Sequence, residues 1–179
     1  IIEHFNEGII LSLISDAGTP LLSDPGRLLV NECINNGIQV VPIPGVSSIT
    51  SALSVAGFVD QFLFYGFLPK TENELIKVLT SLSQNEFSQI FFIPAKKINF
   101  YINNFKKFYV GRKILIAREI TKIHESFFRS NIEDLKPFKN SIKGEITVVI
   151  SEAISQVKNF DEKKIVNKIK KYIKKYSLK

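Results

Sequence analysis

The sequence predicts an α/β fold, with a parallel strand–helix unit over residues 1–68 and a second α/β unit over 69–179. Three observations carry that reading. Apolar-rich runs recur at IILSLI (9–14), QVVPI (39–43), FLFYGF (62–67), QIFFI (89–93), KILIARE (113–119) and EITVVIS (145–151), and several stretches between them repeat apolar residues at helical spacing. Glycine and proline punctuate the joins. Finally, 179 residues with 45% apolar and 23% charged side chains can bury a real core.

Taken in order, IIEHFNEG reads as the last turns of a helix stopped by Gly8. Residues 9–14 follow as a strand buried on both faces. Asp24 as N-cap and Pro25 as first helical residue open RLLVNECINN, whose stripe of Leu28, Leu29 and Cys33 ends at Gly37. Strand 39–43 leads through PGVSS into the helix SSITSALSVA, closed by Gly57, and then into strand 62–67. Pro69 marks a boundary, and Thr71 with Glu74 forms a capping-box pattern that opens ENELIKVLTSLS. The second unit runs strand 89–93, helix KKINFYINNFKKF, strand 113–119, strand ESFFRS, short helix NIEDLK and strand 145–151. In DEKKIVNKIKKYIKKY, Ile165, Ile169, Ile173 and Tyr176 form a narrow stripe among lysines, which suits a docked surface helix better than a membrane binder.

Composition narrows the function classes. No apolar run approaches the roughly 20 residues of a membrane span, and the first residues lack a signal-peptide pattern. The single cysteine, Cys33, has no internal disulfide partner, and no Cys/His cluster has zinc-ligand spacing, so no metal is expected. A reducing cytoplasm is the simplest compartment. The chain contains no methionine and starts at Ile1, so we read it as a piece of a longer protein. The net charge of +7 is unevenly spread: residues 1–90 carry three basic and nine acidic side chains, net −6, and residues 91–179 carry 21 and eight, net +13. A basic half fits a polyanion such as nucleic acid, although solvated lysines would produce the same count.

Two loops have the composition of a ligand site at the carboxyl ends of strands. In SDAGTP, Gly18 permits close backbone approach, Pro20 stiffens the turn, and Asp16 and Thr19 offer polar contacts. In PIPGVSS, Pro44 and Gly45 turn the chain so that Ser47 and Ser48 open a helix, where they serve either as caps or as anion contacts. Neither a P-loop nor a GxGxxG fingerprint is present. His4 and His124 lack triad partners, Cys33 suits a buried hydrophobe, and Asp60 and Glu119 read as isolated loop or strand-end acids. The residues alone therefore give an α/β ligand-binding protein.

SDAGTPLLSDPG, PIPGVSSITSALSVAGF, FYGFLPK, ILIAREITKIHE and GEITVVI occur in that order, and together they resemble the ribosomal RNA small subunit methyltransferase I family of the tetrapyrrole methylase superfamily. The resemblance covers nearly the whole chain. It implies a two-domain tetrapyrrole-methylase-like fold with S-adenosylmethionine bound between the domains, a parallel N-terminal domain and a mixed-sheet C-terminal one. It implies methyl transfer to the ribose 2′-hydroxyl of a cytidine in the decoding region of 16S rRNA, in the cytoplasm, by a homodimer. Carried over by motif, Asp16, Ala17, Gly18, Thr19 and Pro20 form one cofactor wall and Ser47 and Ser48 the facing one. Backbone near Ile93 and Ala117 lines the adenine side. Lys96, Lys97, Arg118 and Lys122 become candidate rRNA contacts, whereas no residue is assigned as the general base.

Two departures from the family pattern follow. The TPIGN loop and AEDTR segment with which the family begins have no counterpart, so the N-terminal domain is expected to be truncated and this piece alone inactive. The YESPHR-like segment is here FIPAKK, with Ile93 in place of the acid and Lys96 and Lys97 in place of the His-Arg pair. The alternatives are a superfamily methyltransferase acting on a tetrapyrrole or a protein, or an RNA-binding fragment without activity.

Overall fold

A computed structural model describes residues 1–58, 61–139 and 142–153. The expected helix over 161–176 and Asp60 lie outside the described residues. Helices α1 (Ile2–Asn6), α2 (Arg27–Asn35) and α3 (Ser48–Ser54) precede β1 (Phe62–Phe67), α4 (Glu72–Leu82), β2 (Ser88–Pro94), a 3-10 turn (Ala95–Lys97), α5 (Ile98–Phe108), β3 (Lys113–Arg118), β4 (Ser126–Asn131) and β5 (Glu145–Ile150). The strands form one mixed sheet in the order β1-β2-β5-β3-β4. This is the expected α/β class.

β1 runs parallel to β2, and β5 is antiparallel to both β2 and β3. Three consequences follow. The carboxyl ends of β1, β2 and β3 share one edge of the sheet, and the first residue of β5 lies at that same edge, with Glu145 opposite Pro94. β1, which the sequence reading placed in the first unit, is hydrogen-bonded into the sheet of the second. Continuous apolar runs suit β2, β3 and β5 because both faces of these central strands are covered.

One face is packed by α4 and α5. Ile98, Tyr101, Ile102 and Phe105 recur at i, i+3, i+4 and i+7 on α5 and meet Leu75 and Leu79 of α4, with Phe91 and Ile93 of β2 beneath them. Tyr109 donates to Gln89 Oε1 at 2.5 Å, which satisfies a buried amide under the ring stack. Arg112, itself buried, donates to the carbonyls of Ser83, Asn85 and Ser151 and lies over the Tyr109 ring at 5.2 Å. That guanidinium ties the turn after α4 to the end of β5. The opposite face is covered by α3, whose Ile49 and Ala52 pack on Ile90, Leu115 and Val149.

Several local expectations are corrected. Residues 9–14 and 39–43 form no strand: no ladder among the described residues includes them, and Ile10, Ile14 and Ile43 are 93%, 86% and 83% exposed. An apolar run becomes a strand only when neighbours take up its N–H and C=O groups. α2 is capped by Gly26 rather than Asp24. NIEDLK adds only a turn after β4, with Asn131 Nδ2 donating to Asp134 Oδ2. Thr71 is the N-cap of α4, and its hydroxyl donates to the Glu74 carboxylate at 2.6 Å in place of a backbone cap. None of the described helices is long and apolar enough to cross a membrane.

Candidate functional site

A cavity of about 540 Å³ opens on the α3 face at the edge where β1, β2 and β3 end. Its volume is in the range of small-molecule sites. Three segments far apart in sequence converge there. The loop after residue 14 contributes Ser15, Asp16, Ala17, Gly18 and Thr19, the turn into α3 contributes Val46, Ser47 and Ser48, and the strand ends contribute Ile93, Pro94, Ala117 and Thr147.

The two loops singled out in the sequence touch. Thr19 Oγ1 donates to the Val46 carbonyl at 3.3 Å, a bond that spans 27 positions. Gly18 makes the approach possible with φ +73°. Ser47 occupies the N-cap position of α3, but its side chain makes no capping hydrogen bond. The residue lines the cavity with a hydroxyl not engaged in a cap. Ser23 and Thr121 in the cavity wall, and Leu21 and Glu119 next to lining residues in sequence, are four non-glycine residues with φ between +50° and +71°. Such residues cluster where surrounding structure holds a loop in one shape.

Eight of the nine expected cofactor positions line this cavity; Pro20 does not. Of the four cations expected at RNA, only Lys122 does. Its ammonium lies 2.9 Å from Glu145 Oε2 and 3.3 Å from Glu119 Oε1, so two carboxylates surround one positive charge. Those hydrogen bonds, that of Glu145 first, hold the Lys122 pKa above its usual value. The Glu145 backbone N–H, donating at 2.8 Å, and then Lys122 hold the Glu119 carboxyl below the usual carboxylate range. Glu119 is thus clamped, not isolated. Lys97 donates to the Lys70 carbonyl at 3.0 Å, and Arg118 Nε donates to the Lys143 carbonyl at 2.9 Å. Lys96 is exposed beside them.

Sequence reasoning missed Phe67, Thr121, Glu145 and Thr147 in the cavity wall, and it read Asp24 as a cap although Asp24 lines the cavity. Glu145 and Thr147 carry no such signal because they begin an antiparallel strand, whereas the loops legible in the sequence follow apolar runs. No cluster of His, Cys, Asp and Glu among the described residues could hold a metal ion.

Residues 2–136 match the family of Tetrapyrrole (Corrin/Porphyrin) Methylases. The chain belongs to this family. Among curated relatives, a Ribosomal RNA small subunit methyltransferase I from Thermotoga maritima is 40% identical over 154 residues, covering 84% of this chain and 69% of the relative. Its counterpart from Rickettsia prowazekii is 40% identical over 162 residues, covering 89% and 58%. The chain therefore spans well under the full length of both. Among solved structures, the methyltransferase CobJ has a TM-score of 0.57 at 19% identity, over 76% of this chain and 62% of that one. A uroporphyrin-III C-methyl transferase from Thermus thermophilus, complexed with S-adenyl homocysteine, has a TM-score of 0.51 at 14% identity, over 76% and 63%. These likenesses establish the tetrapyrrole methylase fold.

Proposed function

We propose that this chain is part of an S-adenosylmethionine-dependent methyltransferase acting on the ribose 2′-hydroxyl of a cytidine in 16S rRNA. One observation carries the reading: the SDAGTP and PGVSS loops, joined by the Thr19–Val46 bond, wall a single cavity above Ile93 and Ala117. The names of the 40%-identical relatives supply the substrate class.

The donor set fits such a cofactor. The Phe92 ring, with the backbone at Ile93 and Ala117, gives an apolar floor for a purine, and Asp16, Thr19, Ser47 and Ser48 offer polar partners for an amino-acid moiety. When bound, the cofactor's sulfonium supplies the methyl group. The chain's own part is to hold the reacting atoms in line and exclude water, which accounts for most of the acceleration such a displacement needs. Lys96, which is exposed, together with Lys97 and Arg118, would meet phosphates. Lys122 faces two carboxylates and serves better to fix the β3–β4 turn. Division into units at residues 68 and 69, with the cofactor between them, a homodimer and a cytoplasmic location belong to the same proposal.

Calorimetry with S-adenosylhomocysteine, followed by transfer of labelled methyl to small ribosomal subunits, tests it. Binding with labelled cytidine 2′-O-methyl product is expected. Transfer to a uroporphyrinogen in place of RNA would replace this reading with that of a tetrapyrrole methylase.

A further inference from the structure

Phe67 is an aromatic residue whose place in the cavity is created by a break in its strand. In β1, Phe64 packs toward the α3 face and Tyr65 lies against Phe91 on the α4–α5 face, with ring centroids 6.3 Å apart. Strict alternation would return Phe67 to the Tyr65 side. The β1–β2 register shifts instead between Phe64 and Gly66, so that Gly66 stands opposite Phe91 and Phe67 opposite Phe92. Gly66 adopts φ +88°, a backbone that side chains rarely take, and a Cβ there would also press on Ser23 Oγ at 2.9 Å, so the bend favours glycine. The bulge turns Phe67 onto the cavity side. Its ring is braced by Phe92 at 5.4 Å and 61°, and Phe92 is braced in turn by Phe64 at 5.1 Å and 66°.

A large apolar ring held by an aromatic relay is nevertheless 61% exposed while lining the cavity. Burial in the core does not explain it. Its position differs from that of the floor, where Ile93 and Ala117 are almost wholly covered. Phe67 is at the rim, three residues before Lys70 on the edge that also carries Lys96, and both of those lysines are exposed. An exposed planar face on a sheet edge that also carries lysines suits single-stranded nucleic acid, which stacks bases on rings and sets phosphates on cations.

Resting on the methyl-transfer reading above, we infer that Phe67 is the platform on which a nucleobase of the RNA substrate stacks, outside the apolar floor that accepts the cofactor's purine. The ring acts by positioning: stacking the base fixes the attached ribose at the cavity mouth.

The sequence contains no tryptophan, so Phe67→Trp installs a unique fluorophore at the proposed contact. A single-stranded cytidine-containing oligoribonucleotide should quench it, whereas S-adenosylhomocysteine should not. Phe67→Ala and Phe67→Leu, the latter keeping apolar bulk without a π face, should each weaken oligoribonucleotide binding about ten-fold and leave S-adenosylhomocysteine binding within about two-fold. Equal RNA affinity in all three proteins would overturn the proposal and leave the methyl-transfer reading standing. Quenching by S-adenosylhomocysteine alone would also overturn it, assigning the ring to the cofactor. A wild-type protein that binds neither RNA nor S-adenosylhomocysteine would remove the reading and the proposal together.

Discussion

Residues 9–14 and 88–94 are two apolar runs with opposite outcomes. SQIFFIP becomes β2, bonded to β1 on one side and β5 on the other, with Phe91 fully buried. IILSLI, no less apolar, pairs with nothing among the described residues and leaves Ile10 and Ile14 exposed. Hydropathy is the same kind of signal in both. What separates them is whether other segments offer backbone partners and a covering helix layer.

The contrast can be measured. Phe91→Ala removes a ring packed between Phe105 and Tyr109, and it should lower stability by about 3–5 kcal/mol in urea unfolding. A loss well below 1 kcal/mol there would break the comparison, since β2 would then be no better anchored than residues 9–14. Thr19→Val deletes the hydroxyl that bridges the two cavity loops. About 1 kcal/mol of cofactor affinity, or roughly five-fold in Kd by calorimetry, is the expected loss, with unfolding nearly unchanged. At the other extreme, Ile10→Ser should shift stability by no more than about 0.5 kcal/mol, because an exposed side chain gives up almost no burial. A larger loss would mean that residues 9–14 are covered in solution.

A pH titration examines the edge between these regimes. Glu119 is held below the ordinary carboxylate value of 4.5, so its contribution is present above that value and is lost as acid carries the pH through the lowered one. Lys122 is held above the ordinary 10.5, so its contribution is complete below that value and is lost only as the pH rises past the raised one. The backbone N–H resonance of Glu145, bonded to Glu119, should therefore stay fixed between about pH 5 and 9 and move only in stronger acid. Movement near neutrality would show that the clamp does not form.

Much of the site was legible because its chemistry is local. Asp16, Gly18, Thr19, Ser47 and Ser48 stand out as polar or flexible residues directly after apolar runs, and the structure brings them to one cavity. The rest depended on facts that no window of sequence contains. Phe67 required the bulge at Gly66, Glu145 and Thr147 required the reversed direction of β5, and the ion-paired state of Lys122 required Glu119 and Glu145 to meet across 26 positions. The helices were easier: Ile98, Tyr101, Ile102 and Phe105 display their stripe whatever they pack against.

Leu21, Ser23, Glu119 and Thr121 have one more consequence. Each holds a left-handed backbone that a side chain disfavours, at a cost of roughly 1 kcal/mol or more apiece. An engineer seeking a hardier protein would reach first for glycine at Thr121 or Leu21. The same exchange would loosen the loops around the cavity, so these residues set thermal tolerance against a fixed cavity shape.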